Sequence, residues 1–273
     1  MNTEFSVLMS LYFKEKPEYL KAAINSLLNQ TVRPKEIVIV KDGPLTDELE
    51  AVLSEYTEKY ADLFVLVPLE KNVGLGLALA EGLLHCNCEL VARMDTDDIA
   101  RKDRFEIQLA EFDRDPELDI CGSHMYEFES TPEEVVAKRT VPLSDAEIKK
   151  YQRRRDGFNH VTVMFKKSSV LAAGNYKSCL LMEDTLLWVN LFKYRAKAMN
   201  IDDYLVYARI GKDMYERRGG YEYFKKYKKA RRIIYETGYI SLYDYYYTII
   251  VQFIVALMPN KLRGIVFKKI LHK

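Results

Sequence analysis

The sequence predicts an α/β fold: a mostly parallel β-sheet flanked by helices, with a helical segment at the C-terminal end. Three observations predict it. Strand-like and helix-like segments take strict turns through the first half. The run EIVIVK (Glu36 to Lys41) is apolar without alternation, as in strands buried on both faces. From Tyr221 onward the chain becomes helical in pattern and rich in tyrosine. Alternating strands and helices imply parallel strands joined by right-handed crossovers. Ligands of such sheets bind beyond the carboxyl ends of the strands.

Phe5 to Tyr12 is a short apolar strand, and an amphipathic helix runs from Pro17 to Asn29. After the buried strand at Glu36, Thr46 to Tyr60 has helical spacing, with Leu49, Val52, Leu53 and Tyr56 on one side. Phe64 to Val67 is a third strand, Leu75 to Leu84 a helix and Leu90 to Met94 a fourth strand. Arg101 to Phe112 is helical and Asp119 to Phe128 a fifth strand. Thr131 to Ala137 reads as an acidic loop, Asp145 to Arg155 as a helix with a basic end, and Val161 to Phe165 as a strand. Asp184 to Phe192 is a helix, and Lys197 to Ile201 and Leu205 to Arg209 are two short strands.

The 273 residues suffice for one large α/β domain or two small ones, and 48% hydrophobic residues support a sizeable core. A net charge of +1 supplies no global attraction for nucleic acid. Locally, ten Lys and Arg between Arg209 and Arg232 face three acids, a balance that suits phosphate-bearing partners, an anionic membrane or a plain solvated helix face. Cys86, Cys88, Cys121 and Cys179 complete no zinc pattern and read as free thiols of a reducing compartment, and no secretory leader opens the chain. Tyr239 to Met258 holds one charge, Asp244, and its uncharged part is shorter than the roughly 20 residues of a spanning helix. Lys261, Arg263, Lys268, Lys269 and Lys273 follow without an acid, so the segment suits the membrane interface, or else a helical hairpin packed on protein.

The densest chemistry lies in LVARMDTDD, where a strand runs into Asp95, Thr96, Asp97 and Asp98. Carboxylates so close repel unless a cation sits among them, and Mg²⁺ or Mn²⁺ commonly bridges carboxylates to a diphosphate. One acid could cap the helix near Arg101, but capping does not use three. Asp42, after the second strand in VIVKDGP, can accept a hydrogen bond from a base or ribose, although Asp-Gly is also an ordinary turn. The small residues of NVGLGLALAEG suit either close ligand approach or tight helix–sheet packing. In MEDTLLW, Glu183 and Asp184 open a helix whose dipole favours their ionised form.

Taken in order, FSVLMSLY, SLLNQTVRPKEIVIVKDGP, NVGLGLALAEGL, ARMDTDDIARKDRFEIQ, NHVTVMFKKSSVLAAGNYKS, MEDTLLW and RIGKDMYERRGG make the chain resemble the family 2 glycosyltransferases over nearly all of residues 3–220. The likeness is to the branch that extends lipid-linked capsule or O-antigen chains, and it implies the Rossmann-like GT-A fold. It implies that Ser10, Tyr12 and Asp42 line the base pocket and that Arg93, Asp95 and Thr96 help hold the donor. Asp97, with Asp95, would hold Mn²⁺ or Mg²⁺ on the diphosphate, with Asp98 supporting the loop. Asp184 would be the catalytic base beside Glu183. Arg209, Arg217 and Arg218 would reach the diphosphate or a lipid phosphate, and His160 would stand on the acceptor side.

The implied reaction is a single inverting transfer from a nucleotide-sugar, UDP-sugar preferred, to a hydroxyl of a lipid-linked saccharide. Residues 1–238 would form the catalytic domain and 239–273 a membrane-interfacial segment, placing the protein in the cytoplasm at the inner face of the membrane. A homo-oligomer is open. Two departures stand out: Lys41, Asp42, Gly43 and Pro44 occupy a place where many relatives have two acids and a serine, and the Q-x-x-R-W motif of processive synthases is absent. A sugar nucleotidyltransferase is disfavoured because MSLYFKEKPEY carries no glycine-rich loop. A catalytically silent nucleotide-sugar-binding scaffold is disfavoured by the retained acids.

Overall fold

A computed structural model describes residues 4–211 and 219–259. Its strands are β1 (Phe5–Leu11), β2 (Glu36–Lys41), β3 (Phe64–Pro68), β4 (Leu90–Arg93), β5 (Ile99–Ala100), β6 (Ile120–Phe128), β7 (Val135–Arg139), β8 (Met164–Lys166) and β9 (Ala198–Arg209). The helices are α1 (Pro17–Leu28), α2 (Asp47–Lys59), α3 (Leu75–His85), α4 (Arg104–Arg114), α5 (Asp145–Tyr151), α6 (Lys167–Ala172), α7 (Glu183–Lys193), α8 (Tyr221–Glu236) and α9 (Leu242–Leu257). One sheet runs in the order β3-β2-β1-β4-β8-β6-β9-β5, with β7 paired to β6.

The first four strands are all parallel, as the alternation requires. Beyond them β8 is antiparallel to β4 and β6, while β9 is parallel to β6. Apolar periodicity carries no strand direction, which is why the mixed half was not legible. The expected acidic loop runs into β7, whose exposed Val135 and Val136 and single pairing partner mark a sheet edge. The two short strands expected at 197–209 are one strand, β9. Asp202 and Asp203, which interrupt its apolar pattern, fall in a register shift where Ser123 faces Ile201 and His124 faces Tyr204. Val161 lies in a 3₁₀ turn (His160–Thr162), so β8 starts only at Met164.

Alternation along the strands divides the core. Val7, Met9, Ile37 and Ile39 face α1, α2 and α4, whereas Leu8, Val38, Val40 and Val91 face α3, α6 and α7. Helix α7 is buried nearly all round. Leu187, Trp188 and Leu191 meet the sheet-side cluster, and Met182, Leu186 and Val189 join α8 and α9 in a third cluster. Helix α9 starts in a capping box, Ser241 with Asp244, and buries Tyr245, Thr248, Ile249 and Ala256. Its other face leaves Tyr243, Tyr246, Ile250, Phe253, Ile254 and Leu257 exposed. Among the described residues no helix is long and apolar enough to cross a membrane. The basic stretch from Lys261 to Lys273 lies outside the described residues.

Gly82 lets α3 settle on the sheet, because a Cβ there would lie 2.4 Å from Val40 Cγ2 and 2.5 Å from Leu8 Cδ1. Overpacking by a methyl costs about 1–3 kcal/mol, against roughly 1 kcal/mol that alanine gains over glycine in a helix. Gly82→Ala is therefore expected to lower the thermal unfolding midpoint. An unchanged or higher midpoint would show that α3 moves away without cost.

Candidate active site

Parallel pairing brings the ends of β1, β2 and β4 to one sheet edge: Leu11 faces Lys41, and Leu8 faces Arg93. Ser10 lies near the end of β1, and Tyr12, Asp42 and the Met94–Asp98 loop leave the sheet there. Ser10 is half-buried and Tyr12 exposed, with no strand beyond them. Asp42 is buried, and much of its carboxylate is used inside the protein. Its Oδ1 accepts from the Val73 N–H (2.7 Å), and its Oδ2 accepts from Asn72 Nδ2 (2.9 Å) and the Gly74 N–H (3.1 Å). It thereby ties the end of β2 to the entry of α3. Of the two readings of NVGLGLALAEG, packing accounts for Gly76 as it does for Gly82: a Cβ on Gly76 would stand 2.9 Å from Glu183 Cβ. That close approach sets the first turn of α3 against the first turn of α7.

The acidic loop is held from beneath and from one side. Arg104, wholly buried in α4, donates through Nη2 to the Arg93 carbonyl (2.9 Å). Thr96 Oγ1 donates to Glu15 (2.6 Å), and the Arg209 N–H donates to Asp98 Oδ1 (2.7 Å). The Arg209 guanidinium donates to the carbonyls of Asp97 (3.1 Å) and Ser130 (3.0 Å) and lies over the rings of Tyr19 and Phe128. Arg209 thus clamps the loop, with much of its donor capacity committed to backbone. Arg217 and Arg218 lie outside the described residues.

Helix capping does not occupy these acids, since α4 is preceded by Asp103. Asp95, Asp97 and Asp98 each offer a carboxylate oxygen, all within 4.8 Å of one another. Burial raises Asp97 to about 7, helped by the charges of Asp95 and Glu15. Burial, then Asp97 and Asp95, hold Asp98 well above the usual carboxylate range. Such mutual repulsion is what a hard divalent cation relieves, and the oxygen donor set fits Mg²⁺ or Mn²⁺. Asp98 also receives the Arg209 N–H, and Asp95 is paired with Arg93.

Arg93 links this loop to α7. Its side chain leaves β4 on the same face as Val91, the face that α3 and α7 cover. It is 2% exposed, pairs with Asp95 through Nη2, and keeps Nε and Nη1 buried without a hydrogen-bond partner among the described residues. Its charge favours ionisation of Asp97 and Asp98 on one side and of Glu183 and Asp184 on the other. The helix that opens with Glu183 therefore stands on the aspartates' side of the sheet. Asp184 Oδ1 accepts from the Thr185 N–H (2.8 Å), and Thr185 Oγ1 donates to Asp156 (2.5 Å). Burial, with Asp156 and Glu183 as like charges, raises Asp184 to about 8. Burial also raises Glu183. His160 stands 3.0 Å from the Tyr176 hydroxyl and edge-on to Trp188, and burial with Arg93 nearby keeps it neutral.

Glu15, Arg104, Asp156 and Tyr176 were not singled out from the sequence. Glu15 follows β1 and was open to the rule that chemistry gathers after strands. Nothing in RRRDGF marks Asp156, which reaches Thr185 only through the fold.

The raised acids predict a pH response. An unfolded aspartate titrates near about 3.9, so between there and the folded values of about 7 and about 8 the folded metal-free protein holds protons the unfolded chain has lost. Stability must then fall as pH rises through that window. The metal-free unfolding midpoint is expected to drop from pH 5 to pH 8. Mn²⁺ at 100 times its Kd should restore roughly 5 °C or more at pH 8 and less at pH 5, where protons compete for the carboxylates. A metal-free midpoint that climbs over the same range would contradict the buried-acid account.

Comparison with known proteins identifies the family and the fold. The family model "Glycosyl transferase family 2" matches residues 6–172. The chain is 39% identical over 270 residues to the amylovoran biosynthesis glycosyltransferase AmsE of Erwinia amylovora, covering 97% of this chain and 98% of that one. It is 37% identical over 270 residues to the UDP-Gal:alpha-D-GlcNAc-diphosphoundecaprenol beta-1,3-galactosyltransferase of Escherichia coli, covering 99% and 97%. Among solved structures, the mannosyltransferase PcManGT from Pyrobaculum calidifontis, in complex with GDP-Man and Mn²⁺, superposes with a TM-score of 0.63 at 14% identity, over 97% of this chain and 80% of that one. With three acids at the sheet edge, a carboxylate pair opening α7 and a match over most of its length, the chain belongs to glycosyltransferase family 2 and is a glycosyltransferase of the GT-A fold.

Proposed function

We propose that the chain moves one sugar per visit from a UDP-sugar to a hydroxyl of a lipid-linked saccharide, with inversion, during assembly of a bacterial surface polysaccharide. The observation that carries the reading is that Arg93, paired with Asp95, lies close enough to Glu183 and Asp184 for its charge to favour their ionisation. It supports reading the acidic loop as the edge that takes the diphosphate and Asp184 as the base that works beside it. The relatives support the substrate class: one is named for UDP-Gal and a GlcNAc-diphospho-lipid acceptor, another for amylovoran biosynthesis.

In this reading Ser10, Tyr12 and the Asp42 turn bound the base pocket. Asp97 and Asp95 hold Mn²⁺ or Mg²⁺, which when bound offsets negative charge on the departing diphosphate. Arg93 orients Asp95 and keeps the acids of both clusters ionisable. Asp184 takes the proton of the acceptor hydroxyl as that oxygen bonds to the anomeric carbon, and Glu183 borders the sugar beside it. His160, neutral and hydrogen-bonded with Tyr176, stands on the acceptor side. The protein would work in the cytoplasm at the inner face of the membrane. Residues 1–238 would act as the catalytic unit, and the exposed apolar face of α9 would meet lipid together with the basic stretch after it.

The test is to incubate the protein with a panel of UDP-, GDP- and dTDP-sugars, Mn²⁺ and a lipid-linked GlcNAc acceptor, and to follow nucleotide release and product mass. Release of UDP with a one-sugar gain is the expected result. No release with any donor would defeat the reading.

A further inference from the structure

A cavity of about 1070 Å³ opens between α5 and the loop that follows it on one side and the α8–α9 hairpin on the other. Four of its lining residues, Arg139, Lys150, Arg153 and Arg155, have no carboxylate partner among the described residues. The acids of the same wall are already engaged: Glu147 in the Ser144 capping box, Asp244 with Arg154 and Ser241, and Asp156 with Thr185. With Arg154, five cationic residues line the cavity against these three acids, so its lining is cationic on balance. Its basic loop is fixed in place, because the buried Arg231 of α8 donates to the Arg153 carbonyl (2.8 Å). Gln252, on the α9 wall, has a buried Nε2 with no hydrogen-bond partner among the described residues.

Two continuities define the occupant. On the outer side, Tyr247 and Val251 belong both to the cavity wall and to the exposed apolar face of α9. On the inner side, Asp156 lines the cavity and accepts from Thr185, the residue after the candidate base. A ligand that suits the space is anionic in the middle, apolar at one end and hydroxyl-bearing at the other. We propose that this cavity is the binding site for the lipid diphosphate of the acceptor, with Arg139, Lys150, Arg153 and Arg155 on the phosphates, Tyr247 and Val251 along the hydrocarbon, and the sugar directed past Asp156 toward Asp184. The assignment rests on transfer to a lipid-linked saccharide, and it separates the acceptor's phosphates from the donor's, which belong at the Asp95–Asp98 edge.

Farnesyl diphosphate in EDTA is a suitable probe, since without a cation the acids of that edge repel a diphosphate and calorimetry then reads the cavity alone. The protein is expected to bind farnesyl diphosphate, with inorganic diphosphate at least about tenfold weaker for want of the apolar contact. Arg153→Glu with Arg155→Glu should weaken farnesyl diphosphate by about tenfold or more and leave Mn²⁺-dependent UDP binding as it was. Arg153→Gln with Arg155→Gln, milder in charge, should weaken it in the same direction. Three results would overturn the assignment: unchanged affinity in both double variants, equal binding to phosphatidylglycerol vesicles with the same sensitivity, or a concentration-dependent dimer that the same changes dissolve. Loss of UDP–Mn²⁺ binding in the unaltered protein would count against the sugar-transfer reading alone and leave the cavity result standing.

Discussion

Asp184→Asn is expected to reduce turnover about 10²–10⁴-fold, the usual contribution of a positioned general base, while the Kd for UDP with Mn²⁺ stays within a factor of about two to three. Asparagine keeps the shape of the side chain and the Oδ1 that accepts from Thr185. It removes one of three neighbouring negative charges, so the variant should unfold at the same temperature or slightly higher. The loss then reads chemistry and not folding. The wild-type pH profile carries the same message with the sign worked out. Asp184 must be ionised to act, and burial with Asp156 and Glu183 beside it raises it to about 8. Acceptor kcat/KM should therefore rise with pH and level off at or below about 8, since a bound cation's charge favours the ionised form. The rise should vanish in Asp184→Asn. Full turnover in that variant would remove Asp184 from the mechanism.

Asp97→Ala is expected to have the largest effect on binding. Even residues that merely orient a metal's ligands typically cost about 10–100-fold in metal affinity when changed, so loss of a ligand should cost at least that. Titration of UDP with Mn²⁺ should then resemble titration without it. The substitution also removes a carboxylate repelled by Asp95 and Glu15. The metal-free variant should be more stable than wild type at pH 8, while the stabilisation by Mn²⁺ disappears. A variant that still gains affinity for UDP from Mn²⁺ would place the cation elsewhere.

The parallel half of the sheet was legible because buried parallel strands leave continuous apolar runs ending in polar residues. EIVIVK-Asp42 and LVAR-MDTDD both end that way, and both ends border the site. The same logic placed Glu183 and Asp184 at the start of α7 but was silent on which face of the sheet that helix covers. The face follows from Leu187, Trp188 and Leu191 packing with Val38, Val40 and Val91, a long-range match that periodicity does not encode. The family resemblance gave Arg93 a part in holding the donor and Arg209 a reach to the diphosphate or a lipid phosphate. In the fold Arg93 pairs with Asp95 and Arg209 donates to backbone carbonyls of the loop, contacts that the neighbouring residues in sequence do not encode. Asp156 stayed hidden because a carboxylate in a basic loop has no pattern of its own until Thr185 is brought beside it.

The proposed transfer requires one divalent cation held by Asp97 on a sugar donor's diphosphate, on the side of the loop that faces the start of α7. Diffraction at the manganese absorption edge, from crystals grown with UDP and Mn²⁺, tests it most directly. A single anomalous peak is expected between an Asp97 carboxylate oxygen and the UDP diphosphate, with the uracil beside Tyr12 and the Asp42 turn. UDP bound with no manganese at that edge, or manganese coordinated away from Asp95 and Asp97, would contradict it.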